Sequence, residues 1–339
     1  MKKLILTLSA LLCAAALGAQ MMPDSTVQVI AYWEVGDKMD YTYVEKLFDL
    51  DAEGNETLTM SSTQSLHLEV VEKTDSTYTL QYHTENIDLG DLTPKLTARE
   101  NAAMPDIVYR IRTNHLGTFL GIVDIDQSRE SVLQRLPVIA KASMRNLSPA
   151  DRKKIKEEDL VEMLKQKYSS NEVLAAAVSA VVSPLLFYHG ARLDTTGTYH
   201  LKMKFASLLY SGGTTELENN FAVDPSLTDE YSVIIRSEAV GDEKDLLPMI
   251  LDRTFANLKQ TQGLVDDDYN DFLDAMDEEL LENPIKASFE EYTTEEIDLD
   301  TGWPLQWIYD RYEKISQGGV FRAIHFSREL VPEDKIGGE

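Results

Sequence analysis

Five oxygen-bearing side chains between residues 266 and 277 have the spacing of a calcium-binding loop. Such a loop needs glycine at position six for a sharp turn and a bidentate glutamate at position twelve. Here position six is Asp271 and position twelve is an aspartate, so we expect the acid-rich first turn of an amphipathic helix instead. The candidate ligands at positions one, three, five, nine and twelve are Asp266, Asp268, Asn270, Asp274 and Asp277.

The tripeptide Asp300-Thr301-Gly302 has the residue types of an aspartic-protease loop. That mechanism needs two aspartates sharing one proton, normally from two copies of the motif. Asp194-Thr195-Thr196-Gly197 carries an extra residue, and Trp303 stands where a serine or threonine should hold the loop. We therefore predict a hairpin turn with Gly302 at positive φ and Pro304 at the start of an edge strand.

The histidines show no metal-ligand spacing along the chain. None forms an HxH or HxxxH pair or a histidine–acid cluster of that kind. Three of them fall on the polar phase of predicted strands, which usually faces solvent. A histidine metal site would have to be assembled from distant strands. The six are His67, His83, His115, His189, His200 and His325.

Other catalytic motifs are missing from the sequence. There is no GxSxG elbow, no SxxK motif and no phosphate-binding P-loop. Glycoside hydrolysis needs only two carboxylates that meet in space, so the 58 acidic residues leave a hydrolase open as an alternative. We predict no cofactor, and a binding protein rather than an enzyme.

The first residues predict export. Met1-Lys2-Lys3 is a positive start, an apolar run extends from Leu4 to Gly18, and the expected cut is near Ala19-Gln20. Cleavage would remove the only cysteine, Cys13, and leave about 320 residues without a thiol. The expected location is the periplasm, the cell surface or the medium. No later apolar segment is long enough to span a bilayer.

The chain is strongly acidic. It has 32 basic and 58 acidic residues, a net charge of −26, which becomes −28 once Lys2 and Lys3 are removed. A charge of this sign repels nucleic acids and anionic membrane surfaces, so we predict neither as a partner.

Hydrophobic periodicity divides the chain into blocks. After the signal peptide (1–19), period-two alternation marks a β-rich half at 20–126 with a first strand at 27–34. A helical segment follows at 127–195, with one helix expected from the Ser148 N-cap to about residue 168. A second β-rich half with two acidic helices covers 196–330, and a polar, flexible tail is expected at 331–339.

This order of elements predicts an α+β fold. Long strands, short hairpins and no βαβ alternation favour curved antiparallel β-structure, as two sheets or one long sheet, with covering helices. Because the strand-rich pattern occurs twice, we also predict an internal architectural duplication.

Two turn motifs carry a family resemblance: Val35-Gly36-Asp37-Lys38 before a tyrosine-rich strand, and Asp298-Leu-Asp-Thr-Gly-Trp-Pro304 before the last two strands. With the long hairpins, they resemble uncharacterised secreted domain-of-unknown-function families of Gram-negative gut and oral bacteria. The coarse outline is also similar to periplasmic half-barrel lipid and lipoprotein carriers, in which a curved sheet cups helices. The second likeness implies a lipid ligand, although fold alone does not transfer function.

An apolar cleft between sheet and helices is the candidate ligand site. Aromatic side chains share one face of the predicted strands, and the helix around 173–188 is apolar nearly all round, which is typical of a buried helix. Cross-strand aromatic packing is the alternative interpretation. The cleft candidates are Trp33, Val178, Val182, Phe187, Trp303, Trp307 and Tyr309.

We therefore favour a secreted, non-enzymatic protein that binds a lipid, another amphiphile or an envelope component. A hydrolase of envelope polymers acting through dispersed carboxylates is the alternative. A structural partner of an envelope protein, working through surface contacts, is the third hypothesis.

Overall fold

The computed structural model describes residues 25–88, 96–97, 99–100, 104, 106–148, 151–224 and 231–333. The predicted signal peptide and residues 334–339 of the predicted tail lie outside this part of the chain. Residues 331 and 332 of that tail belong to the last strand.

The described chain is rich in long strands. They are β1 (Thr26–Gln28), β2 (Lys38–Leu50), β3 (Glu56–Lys73), β4 (Thr77–Asp88), β5 (Val108–Asn114), β6 (Phe119–Val123), β7 (Arg192–Asp194), β8 (Thr198–Ala206), β9 (Thr214–Val223), β10 (Ser232–Gly241), β11 (Lys286–Asp298), β12 (Pro304–Gln317) and β13 (Val320–Pro332).

Eleven of these strands form one antiparallel sheet in the order β6-β5-β4-β3-β2-β13-β12-β11-β10-β9-β8, while β1 and β7 pair separately. Each β-rich half forms a meander, and the two meanders join where β2 pairs with β13. The predicted α+β class with a curved antiparallel sheet is confirmed, and both β-rich halves belong to the one eleven-stranded sheet.

Five α-helices accompany the sheet in the described chain: α1 (Ile125–Asn146), α2 (Glu157–Tyr168), α3 (Asn171–Leu185), α4 (Glu243–Gln262) and α5 (Tyr269–Glu282). Side chains fix where several begin. Ser170 accepts hydrogen bonds from the first-turn amides of α3, and Asp242 forms a capping box with Asp245 at α4. Gly263 ends α4 in the left-handed conformation.

Strand alternation gives the sheet a covered face and a polar face. On β3, Leu66, Leu68 and Val70 are buried, whereas His67 and Glu69 point the other way. The covered face carries a central cluster of aromatic and aliphatic side chains from β2–β5, β12 and β13, packed under α3. A C-terminal cluster lies under α4 and includes Phe205, Leu217 and Phe289. The central cluster takes side chains from both β-rich halves.

Two predicted element bounds are wrong. The first strand ends at Gln28 instead of residue 34, because the next backbone groups bond to loops: the Ala31 amide donates to the Leu116 carbonyl. The helix expected from Ser148 begins only at Glu157, after a short 3-10 turn at Asp151–Lys153.

The prediction that the helix near 173–188 is buried all round is also wrong. Leu174, Val178, Val182 and Leu185 form one buried face of α3, while Val173 on the opposite side is exposed. None of the described helices combines the length and the apolar character that crossing a membrane requires.

Candidate ligand site

Six of the seven cleft candidates come together in the central cluster. Trp33, Val178, Val182, Trp303, Trp307 and Tyr309 are between 0% and 8% exposed. The seventh, Phe187, is 41% exposed and packs edge-on against Tyr188. The sequence therefore identified side chains that meet, and the structure shows them in dense mutual contact.

The indole of Trp33 is the centre of this packing. It stacks on Trp303 with ring centroids 4.5 Å apart and lies edge-on to Tyr78 at 5.4 Å. His189 lies 5.7 Å away and donates from Nε2 to the Gly302 carbonyl at 2.7 Å. Burial lowers the pKa of His189 to about 4. This neutral, buried contact ties α3's C-terminal turn to the β11–β12 turn.

A charged band crosses the covered face between the central and C-terminal clusters; it consists of Glu45, Glu291, Tyr309, Arg311, Glu313 and Arg328. Its shortest contact joins Arg311 to Glu291, where Nε and Nη2 donate to Oε2 at 2.9 and 2.5 Å. Tyr309 donates to the same oxygen at 2.6 Å. Burial raises the pKa of Tyr309, and Glu291 raises it further. These buried charges are paired, as the cost of burial requires.

Glu313 ends the band at the β8–β9 loop. Its carboxylate accepts from Ser207 Oγ at 2.7 Å and from the Leu208 and Leu209 amides at 2.9 and 3.2 Å. Arg311 Nη1 lies 3.8 Å from it and donates to the Ala206 carbonyl at 2.7 Å. Glu313 and Arg311 thus hold this loop against the sheet.

Glu295 is the one buried carboxylate on this face whose Oε1 has no hydrogen-bond partner within the described chain. It is 1% exposed and stands across from Ile235 and Trp307 in the neighbouring strands. Burial raises its pKa well above the ordinary value. Perturbed acids cluster at functional sites and also occur in structural networks.

An apolar pocket of about 330 Å³, including space open to solvent, lies between α4 and the sheet. Only a small part of this volume is enclosed, so a ligand of more than a few atoms would require side chains such as Met249 to move. Its walls are the C-terminal cluster, and Glu313 of the charged band is its buried charged group. Its apolar lining includes Phe205, Tyr210, Leu246, Met249, Ile250 and Phe289.

Two arginines lie beside this pocket. The guanidinium of Arg253 on α4 packs over Gly212 of the β8–β9 loop, where an added Cβ would be 3.3 Å from Nη1. Arg322 is close enough to Tyr210 to oppose the rise that burial gives its pKa. Among the described residues, neither guanidinium has a carboxylate within salt-bridge distance.

The calcium-loop candidates do not form a loop. Asp266 and Asp268 lie in a 3-10 turn, and Asn270, Asp274 and Asp277 lie within α5. Asp266 pairs with Lys259, and Asp268 Oδ2 accepts from the Val265 amide at 2.8 Å. The acid-rich stretch thus forms the start of a helix.

The Asp300-Thr301-Gly302 segment is the turn between β11 and β12, with Gly302 at φ +78°. Asp298 Oδ1 accepts from the Asp300 amide at 2.6 Å. Pro304 begins β12 as predicted, but that strand is interior, between β11 and β13. The edge-strand prediction is wrong because a strand's first residue can lack an N–H even inside a sheet.

Sequence reasoning missed the charged band and Glu295. Phe289, Glu291, Thr293, Glu295 and Ile297 share one phase of β11, so two acids stand in an apolar phase. Two acids on the apolar phase of a strand are the sequence feature that could have indicated buried carboxylates here.

No family model matches the chain, and no curated protein matches it. Among solved structures, the chain is similar to lipovitellin, in a structure described as showing lipid–protein interactions in lipovitellin. The TM-score is 0.36 at 9% identity, over 88% of this chain and 25% of that one. The chain thus spans about a quarter of the lipovitellin chain. The resemblance to uncharacterised secreted families stays a prediction.

Proposed function

We propose that this protein binds a small anionic amphiphile, with the apolar part of the ligand in the pocket under α4 and its negative group at Arg253 and Arg322. The observation that carries this proposal is the combination of an apolar pocket with two arginines that lack carboxylate partners in the described chain. It narrows the sequence-based hypothesis of an amphiphile-binding protein and moves its site from the central cluster to α4.

The apolar part of the ligand would gain from removal of its surface from water. Transfer of apolar surface stabilises binding by roughly 25 cal/mol per Å². Met249 and Ile250 on α4 face Phe205 and Phe289 on the sheet in the C-terminal cluster. The unbranched, flexible Met249 side chain can shift to admit a chain.

The negative group would be selected by charge. The acidic chain repels anions at long range, but this repulsion is screened beyond about 10 Å at 0.1 M salt. Close to the pocket, the guanidinium groups provide planar donors suited to a carboxylate or phosphate. Export, predicted from residues 1–19, supports a ligand found in the envelope or medium.

Titration of the mature chain with dodecanoate in a calorimeter tests this proposal. We expect one binding event per chain. Met249→Trp should fill the pocket and weaken binding by at least about tenfold, a loss of 1.4 kcal/mol. The matched control is Met163→Trp, because Met163 is exposed on α2. Equal affinity in both variants, or no binding by the parent chain, would overturn the proposal.

Substitutions at the two arginines test whether the site selects a negatively charged ligand. Arg253→Ala and Arg322→Ala should each weaken dodecanoate binding by about two- to fivefold, in line with exposed charge pairs. Arg112→Ala is the control, since Arg112 is exposed on β5, whose neighbours are β4 and β6. Dodecanol should bind without sensitivity to either arginine. If dodecanoate binding ignores both arginines as well, the anionic part of the proposal is wrong.

A further inference from the structure

The polar face of the sheet carries a histidine pair that the pocket under α4 does not involve. The β3–β4 hairpin places His67 directly across from His83. Their rings stack with centroids 4.6 Å apart and planes 23° from parallel. These residues are sixteen positions apart in the sequence, so no local motif marks them.

Glu85 adds a carboxylate to the pair. It follows His83 by two residues, so alternation places both on the same face of β4. Its Oε1 lies 3.5 Å from His83 Nε2. One nitrogen of each ring and one carboxylate oxygen of Glu85 lie within 4.8 Å of one another, an arrangement able to hold a metal ion.

Asp40 orients the first imidazole. The Nδ1–H of His67 donates to Asp40 Oδ1 at 2.6 Å, from the neighbouring strand β2. In a neutral imidazole this leaves the lone pair on Nε2. Nε2 is buried and has no hydrogen-bond partner among the described residues. A carboxylate on one imidazole nitrogen and an open lone pair on the other is the usual arrangement behind a metal-binding histidine.

We propose that His67, His83 and Glu85 bind a divalent transition-metal ion such as Zn²⁺, with Asp40 as the residue that positions His67. Two imidazoles and one carboxylate suit Zn²⁺ and its neighbours better than Ca²⁺ or Mg²⁺, which prefer oxygen ligands. Three protein ligands leave a fourth tetrahedral position for water or an exogenous group.

Metal binding requires the two imidazoles to rotate out of their stack, so that their lone pairs converge on one ion, and requires the site to close. Ligand atoms at about 2.0 to 2.1 Å from a tetrahedral ion lie roughly 3.4 Å apart. The present separations are all within 4.8 Å, and the Glu85 side chain is 60% exposed, so it can rotate toward the rings. The pairing of β3 with β4 keeps the two histidines directly across from each other, so the movement is confined to side-chain rotation.

Calorimetric titration of the untagged mature chain with Zn²⁺, after treatment with a chelator, tests the site. We expect one ion per chain, and His67→Asn or His83→Asn should weaken binding by at least about tenfold. Asp40→Asn should weaken it by about 10- to 100-fold, the usual effect of losing such a carboxylate. Far-ultraviolet circular dichroism confirms that the variants fold.

Two controls separate this site from other metal-binding groups. His115→Asn alters an exposed turn histidine, and Asp274→Asn alters the acid-rich helix α5, so neither should change the affinity. With Co²⁺, the parent chain should give the absorption of a tetrahedral complex, which His83→Asn should abolish. Unchanged affinity in both histidine variants, or loss only in Asp274→Asn, would overturn the assignment.

Discussion

Glu295 destabilises the fold at neutral pH and above. The folded protein holds its carboxyl proton to a higher pH than the unfolded chain does, because burial raises its pKa above the ordinary 4.5. Between pH 4.5 and the raised pKa, the folded state therefore binds more protons than the unfolded state. Its stability is complete below about pH 4.5 and falls as the pH rises toward the raised pKa.

Glu295→Gln should remove this loss, because glutamine keeps the shape and cannot ionise. We expect the variant to be more stable than the parent chain at pH 8 and similar to it near pH 4. Urea unfolding at several pH values measures the difference. Glu238→Gln, at an exposed position of β10, is the control and should leave the pH dependence unchanged. The same fall in stability between pH 5 and pH 8 in Glu295→Gln would contradict this account.

Single residues of the site were only partly predictable. The aromatic candidates were found because Trp307 and Tyr309 follow the strand period, and packing then brings such side chains together. The role of Arg311 depends on the pairing of β11 with β12, which sets Glu291 opposite it. His67 and His83 depend likewise on register. Strand register across a hairpin is set by turn geometry and burial, which residue types alone do not specify.

At the scale of elements, the β11–β12 turn depends on one glycine. Gly302 has φ +78°, and a Cβ there would meet the Ile30 carbonyl oxygen at 2.3 Å. Gly263 has a similar φ of +74° with no atom within 4 Å of an added Cβ. Alanine substitutions at Gly263 and Gly302 can therefore separate the cost of a left-handed backbone from the cost of the close approach to Ile30.

Gly263→Ala should cost about 1 to 2 kcal/mol, the penalty of the left-handed conformation. Gly302→Ala should cost clearly more, since it also forces Ile30 and the buried contact to His189 apart. Urea denaturation of both variants provides the comparison. Equal losses would show that the turn relaxes freely and that the close approach has no energetic weight.

Local signals predicted hairpins better than helix starts. Ser148 precedes a proline and has the residue pattern of an N-cap, yet α2 begins at Glu157. Arg152 donates to the carbonyls of Arg145 and Leu147 at 2.7 and 2.9 Å. Arg152 therefore satisfies carbonyls at the C-terminal end of α1, a local contact that competes with the predicted helix start.

For the whole molecule, composition and periodicity predict the α+β class but not the strand order. The centre of the sheet is the β2–β13 pair, whose residues Tyr43 and Leu330 are 287 positions apart. Nothing local encodes such a pairing. It arises because both strands have a buried face, and the central cluster joins them around Leu330, Tyr43 and Trp307.

The pairing of β2 with β13 predicts that the two β-rich halves unfold together. Leu330→Ala removes a fully buried side chain and should cost about 2 to 5 kcal/mol. Tryptophan fluorescence reports Trp33, Trp303 and Trp307 in the central cluster, whereas far-ultraviolet circular dichroism also reports α4 and α5. Both signals should shift to the same lower urea midpoint, while Leu201→Ala, exposed on edge strand β8, should move neither. Two separated transitions would contradict this prediction. They would mean that the helix and strands of the C-terminal cluster stay folded at urea concentrations where the β2–β13 pair has already unfolded.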